Sequence, residues 1–221
     1  MDSEYIISNW CSIRNKTLIL NDKKEVDEEN FINFAAFIKC LYKKKLINYP
    51  KFYKMDNLSK LGFLSADLII KESSVLKNYN REEIGIVIAN SSSSLDTDKV
   101  YQETIRDKSN YFPSPSVFVY TLPNILIGEI CIKYQIKGEN AFLVSREFDP
   151  GQIWRLVISL LDQGTIKACI CGWVDILDEN YESILFIVEK KQEDSANQEK
   201  KEDCRSFNID NMYQLYKQTG N

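Results

Sequence analysis

The sequence predicts a single α/β domain: a mixed sheet with crossover helices on both faces and a small antiparallel edge. Three stretches carry that prediction. EIGIVIAN (83–90) is a continuous apolar run closed by Ser91, Ser92, Ser93 and Ser94, the pattern of a strand buried on both faces. FDPGQIWRLVISLLDQG is the clearest helix, with Asp149 suited to its N-cap, Pro150 to its first turn and Gly164 to its end. Its residues Ile153, Leu156, Val157, Leu160 and Leu161 follow the spacing of a core-facing stripe. IKACICGWVDIL and YESILFIVEKK flank a short turn at Asp178, Glu179 and Asn180, which makes a hairpin with its last strand antiparallel.

The other elements follow in order. EYIISNWCSI is β-branched and aromatic, a strand near residues 4–9. NDKKEVDEENFINFAAFIKCLYKKKLI reads as a helix with Phe31, Phe34, Ala35, Phe37, Ile38 and Leu41 on its apolar face and Asp27 as its cap. Lys43, Lys44 and Lys45 then sit at its C-terminal end, where cations are favoured. Residues 56–73 form a second helix through Leu58, Leu61, Leu64, Leu68 and Ile69. LDTDKVYQETIRDK gives a short helix, and TLPNILIGEICIKYQI a mostly apolar one with Gly128 in its middle. A helical glycine costs up to about 1 kcal/mol against alanine, so close packing is expected at Gly128. GENAFLVSRE (138–147) is a further strand. The charged stretch 192–204 reads as a mobile linker separating a 1–191 domain from a tail that is helical at 207–218. Trp10, Trp154 and Trp173 are expected in the core.

Composition removes several functions. The chain has 221 residues, 44% hydrophobic and 27% charged, enough for one sizeable core. No run approaches the roughly 18–20 apolar residues of a membrane span, and MDSEYIISNW lacks the pattern of a signal peptide, so a cytoplasmic location is expected. A net charge of −4 argues against a nucleic-acid partner. The chain holds no histidine, which removes Ser-His-Asp and Cys-His nucleophiles and the usual general base. Six cysteines include one close pair, Cys169 and Cys171, whose spacing fits one face of a strand better than a zinc site. Asp96 and Asp98 lack the remaining ligands and glycine of a calcium loop. Neither a metal nor a cofactor is expected.

Four stretches then carry a family likeness. FYKMDNLSKLGFLSADLIIKES opens a helix on a basic residue followed by Met55 and Asp56, and EIGIVIANSSSSLD is a strand running into a small-residue loop. SPSVFVYTLPNILIGEICIKYQIKGEN, the most specific, sets Asn124, Gly128 and Gly138 in a fixed spacing, and GTIKACICGWVDI is the strand after the helix. Across roughly residues 1–190 these resemble the N-terminal half of the β-ketoacyl synthases, condensing enzymes of the thiolase-like fold. The resemblance implies a thiolase-like half-fold, a five-stranded mixed sheet of order 3-2-1-4-5 with the last strand antiparallel and helices on both faces.

The departures from the family decide what the likeness implies about function. The family's nucleophilic cysteine follows the strand at a helix N-terminus, where the helix dipole and backbone N–H groups lower the thiol pKa and hold the thioester oxyanion. Counted from Gly138, that position falls on Glu147, between Ser145, Arg146, Phe148 and Asp149. The resemblance stops near residue 190, before the half that carries the family's two active-site histidines and a lysine. It therefore implies a chain that does not condense acyl groups by itself. The implied role is a chain-length-factor-type or accessory partner in polyketide, aryl-polyene or fatty-acid type biosynthesis, as a homodimer or as a heterodimer with a full-length ketosynthase. Dimers of the family form through the segment equivalent to residues 115–147, which makes Asn124, Gly128, Gly138 and Phe148 structural or interface candidates. Three alternatives stay open: a self-associating remnant, a malonyl-thioester decarboxylase, and a docking module whose Lys43, Lys44, Lys45, Lys51 and Lys54 face an acidic acyl carrier protein. None of these readings calls for a membrane.

Overall fold

Strand pairing organises the chain. The computed structural model describes residues 4–27, 31–191 and 204–219, so most of the expected linker lies outside the described residues. Within them, β1 (Tyr5–Arg14), β2 (Thr17–Leu20), β3 (Lys23–Asp27), β4 (Ile84–Asn90), β5 (Asn140–Val144), β6 (Ala168–Leu177) and β7 (Asn180–Lys190) form one sheet in the order β3-β2-β1-β7-β6-β4-β5. A short β8 (Arg205–Ser206) adds beside β1. Strand β4 runs parallel to both β5 and β6, and the other pairs are antiparallel.

This corrects the expected five strands and their order. The order 3-2-1-4-5 puts the first strand between β4 and β6, but those two pair directly, from Ile84 opposite Ala168 to Ala89 opposite Trp173. β1 lies on the far side of β7, with Trp10 opposite Phe186. Strand β7 is buried from Ser183 to Val188, and its outer backbone groups need a partner away from water. With β4 already on β6, β1 supplies it.

The expected helix over 21–47 is also corrected. Residues 21–27 are instead the turn and second strand of the β2–β3 hairpin. Asn15 and Lys16 (φ 50° and 60°) join β1 to β2, and Asn21 and Asp22 (φ 47° and 65°) join β2 to β3. Two consecutive left-handed residues make the tight turn that matches strand twist. The helix α1 (Phe34–Lys44) starts later, and its cap is Asn33, which accepts from Ala36 N–H at 2.9 Å, because Asp27 ends β3.

Helices cover both faces. On one side lie α1, α2 (Asn57–Glu72), α3 (Val75–Asn78), α4 (Leu95–Ile105), α5 (Pro115–Phe118) and α6 (Ile125–Tyr134). Helix α2 is buried almost all round, and it carries Leu61, Leu64 and Ile69 into a core shared with Ile86, Ile170 and Leu185. Its buried hydroxyl is satisfied against the sheet: Ser183 Oγ donates to Ser65 Oγ at 2.8 Å, and Ser65 donates to Leu61 O. On the other side α7 (Pro150–Asp162) inserts Ile153, Val157 and Leu161 toward Val87, Cys171 and Phe186. Helix α8 (Ile209–Gln218) closes that second core with Met212 and Leu215, preceded by Phe207. No single described helix is long and apolar enough to cross a membrane.

The connection β4→β5 crosses one face and β5→β6 crosses the other. The loops after β4 and β5 therefore part at the carboxyl ends of the parallel strands, the position where open α/β sheets form a crevice.

Candidate functional site

At that crevice the apolar run of β4 stops and four serines turn the chain. Asn90 begins the turn: its side chain accepts from Ser93 N–H at 3.0 Å and donates to Ser93 O at 2.8 Å, holding Ser93 at φ 50°. Asp175, projecting from β6, fills the loop. Its carboxylate accepts from Ser92 N–H at 3.0 Å, Ser91 N–H at 3.3 Å and the Ser91 hydroxyl at 2.6 Å. A loop of backbone N–H groups of this kind can cradle an anion. Here the anion is the chain's own carboxylate.

The neighbouring loop, residues 145–149, hangs on the same turn through Ser145 N–H, which donates to Asn90 O at 2.9 Å. Glu147 is exposed in this loop, and Asp149 caps α7 by accepting from Gln152 N–H at 3.0 Å. Phe148 turns inward, edge-on to Trp173 at 6.2 Å and against Tyr216 at 4.5 Å. Beside it Glu182 gathers three elements: it accepts from Trp173 Nε1 at 2.8 Å and Tyr216 OH at 3.0 Å, and it pairs with Arg14. The Arg14 guanidinium also lies 4.3 Å over the Tyr216 ring, a cation–π contact. Burial, and then the Glu182 charge, push the Tyr216 phenol up to about 12. An open cavity of about 430 Å3 in front of this cluster is lined by Arg14, Asp175, Glu179, Tyr181 and Glu182.

No thiol reaches the site. Cys169 and Cys171 are buried in β6, and desolvation, followed by the neighbouring Cys169, raises the Cys171 pKa well above that of a free thiol. A buried protonated thiol is a poor nucleophile. None of the six cysteines forms a disulfide, and the described residues hold no group of acids and cysteines placed to bind a metal.

The remaining sequence candidates scatter. Asn124 is exposed ahead of α6, and its side chain caps nothing. The close packing expected at Gly128 is overturned: a Cβ there would meet nothing within 4 Å, whereas one at Gly62 on α2 would strike Leu126 Cδ1 at 2.5 Å. The small residue that lets the helices approach is on α2. Gly138 precedes β5 where a Cβ would fall 2.2 Å from Ile84 O. Among the lysines, Lys45 pairs with Glu25 at 2.8 Å and Lys51 with the buried Glu129 at 2.9 Å, while Lys43, Lys44 and Lys54 are exposed.

Two buried carboxylates escaped the sequence reading. Asp67 on α2 is fully buried and receives Tyr134 OH at 2.6 Å, Lys71 at 2.8 Å and Lys133. Glu129 on α6 accepts from Tyr120 OH at 3.0 Å. Together they fasten α6 to the body of the chain. The i,i+4 spacing of Asp67 and Lys71 was the one signal available. Outside these clamps, segment 115–147 presents Phe118, Leu122, Ile132 and Val144, each more than half exposed, and β5 pairs only with β4 among the described strands.

No family model matches the chain, and no curated protein sequence matches it. Solved structures do. A chain of the ishigamide ketosynthase/chain length factor superposes with a TM-score of 0.63 at 16% identity, covering 88% of this chain. A type II PKS acyl-carrier protein in complex with its ketosynthase bound to the hexaketide (AntDE:AntF) gives 0.59 at 12% identity over 87% of this chain. The ketosynthase ApeO in complex with its chain length factor ApeC from Xenorhabdus doucetiae gives 0.56 at 11% over 84% of this chain. The chain spans 63% of the matched chain in the first two structures and 78% in the third. At these identities the likeness is one of fold, and the fold is that of ketosynthases and chain length factors.

Proposed function

We propose that this chain is a catalytically silent ketosynthase-like subunit that pairs with a full-length ketosynthase in an acyl-chain-building pathway of the polyketide type. The observation that carries the reading is the face of segment 115–147, where the edge strand β5 and the exposed Phe118, Leu122, Ile132 and Val144 lie beside a helix α6 fastened by ion pairs to buried carboxylates. An unpaired edge bordered by apolar residues is a ready surface for association. Two of the matched structures are described as a ketosynthase with a chain length factor, which fits a subunit of this shape beside an active one.

Silence rests on chemistry. The loop that enters α7 offers Glu147 where the resemblance sets a nucleophilic cysteine, and a solvated carboxylate does not form the acyl thioester that condensation needs. Without histidine the chain also lacks the neutral donor expected to assist decarboxylation. The carrier-docking reading is weaker, because Lys45 and Lys51 are held in ion pairs within the chain.

The test is co-purification with the full-length ketosynthase encoded nearest to this chain, with mass read by light scattering. A stable one-to-one complex is expected. If the chain elutes alone while the ketosynthase elutes without it, the heterodimer is wrong; a homodimer then makes it a self-associating remnant, and a monomer removes both readings.

A further inference from the structure

A second cavity, of about 250 Å3, opens between the start of α2 and the α4–α5 region. Its floor is Met55, Thr97 and Tyr120, all buried, and Val100 and Val117 form apolar walls. Four charged side chains reach it: Asp56, Asp96, Lys54 and Lys60. They are not equivalent. Asp56 caps α2, accepting from Ser59 N–H at 2.9 Å through one oxygen and from the Thr97 hydroxyl at 2.7 Å through the other. Asp96 accepts from Asn57 Nδ2 at 3.0 Å and from Asp178 N–H at 2.9 Å. Every carboxylate oxygen in the cavity is therefore engaged, and the start of the helix is closed by its own cap.

The two ammonium groups are engaged with nothing comparable. Neither Lys54 nor Lys60 has a carboxylate within 4.0 Å among the described residues. Lys60 is partly buried, and desolvation lowers its pKa despite the charge of Asp56. Burying part of a cation without a close partner is unfavourable unless a ligand completes it. The formal charges in the cavity balance, but the hydrogen-bonding capacity left unmet is that of the two ammonium groups, and Val100, Val117 and Tyr120 give the cavity an apolar side.

We propose that this cavity binds a small amphiphile with one anionic head group, the head held by Lys54 and Lys60 and a short apolar arm lying on Val100, Val117 and Tyr120. Carboxylate and phosphate heads share this chemistry. The cavity borders segment 115–147 through Ser116, Val117 and Tyr120, but the proposal does not rest on the function proposed above.

The experiment titrates the full chain with hexanoate, hexyl phosphate, inorganic phosphate and hexyltrimethylammonium, reading affinity by calorimetry and location by backbone amide shifts. Binding of hexanoate or hexyl phosphate, with shifts confined to residues 54–60, 96–100 and 116–120, is expected, and whichever binds tighter identifies the head. Lys60→Gln should weaken that binding about tenfold, equivalent to about 1.4 kcal/mol, while Lys137→Gln at the far end leaves it unchanged. An amide spectrum otherwise superposable on the parent shows that Lys60→Gln is folded. Should Lys60→Gln fail to fold, Lys54→Gln on the exposed lip carries the same prediction. Equal binding of the cationic homologue, undiminished binding by both lysine variants, or equal binding of inorganic phosphate and hexyl phosphate overturns the proposal. So does an acidic protein that binds through these lysines when neither small amphiphile does.

Discussion

At position 172 a side chain has nowhere to begin. A Cβ there would lie 2.1 Å from Ile184 O across the β6–β7 ladder, and the backbone sits at φ +149°, where residues with side chains are strained. Gly172→Ala is expected to destabilise the chain by at least about 2–3 kcal/mol, from overpacking and backbone strain together. Gly128→Ala has the opposite sign. Open space surrounds that position within a helix, so alanine should stabilise by about 0.5–1 kcal/mol. Urea midpoints of the two variants check both, and a shift in the same direction for both would contradict the packing described. Asp56 gives a pH signature at the same scale. Burial raises its pKa above the carboxylate value of 3.8, so the folded state holds its proton more tightly than the unfolded chain does. Its contribution is then fully present below pH 3.8 and is lost as pH rises through the folded value. Asn caps a helix equally well. Asp56→Asn should therefore be neutral or stabilising at pH 7, and its advantage should shrink as pH falls toward the unfolded pKa. An advantage that grows on acidification would show that burial does not govern this carboxyl.

Elements announced themselves in the sequence where local chemistry agreed with periodicity. Helices α2 and α7 are both introduced by an aspartate whose side chain accepts from the N–H three residues on, and both carry an unbroken apolar stripe. The β6–β7 hairpin was legible from two apolar runs and a short turn. The β2–β3 hairpin was not. Its turn is Asn21-Asp22 and the turn that leads into it is Asn15-Lys16, with no glycine to mark the left-handed residues, and its charged KKEVD strand has the composition of a solvated helix. The placement of β1 was illegible for another reason: it is settled by which strand edge remains unpaired after β4 meets β6, a contact between residues about 80 apart. The crevice shares that limit, since the grip of Asp175 on Ser91 and Ser92 spans 84 and 83 residues. Helix α8 belongs at this scale too. It follows a charged, low-complexity stretch, yet Phe207, Met212 and Leu215 are fully buried against the α7 face. Leu215→Ala is expected to lower stability by about 2–5 kcal/mol, as for a core leucine. Thermal unfolding followed by circular dichroism measures it, and a loss below about 0.5 kcal/mol would mean that α8 is a surface appendage.

For the whole molecule the question is what meets the β5 end of the sheet. The other end is finished within the chain by a short strand, β3, rich in lysine, a device that discourages further strand addition. The β5 end has no such device. Val144, the last residue of β5, is 56% exposed, and Leu122 beside α6 is 59% exposed. Behind them Asp67 pins α6 to α2, and Glu129 pins it to Lys51 and Tyr120, so the face is rigid before any partner arrives. Val144→Lys places a charge on this edge without touching the core. Because the side chain is largely solvated, fold stability should change by less than about 0.5 kcal/mol. The one-to-one complex with a ketosynthase should weaken at least about tenfold, since a lysine would be desolvated in the middle of an apolar contact. Affinity and unfolding midpoint measured on the same preparation separate the outcomes. Lost pairing with an unchanged midpoint places the partner on this edge. Undiminished pairing by both Val144→Lys and Leu122→Glu would move the interface away from residues 115–147, and with it the reason for reading this chain as a paired subunit.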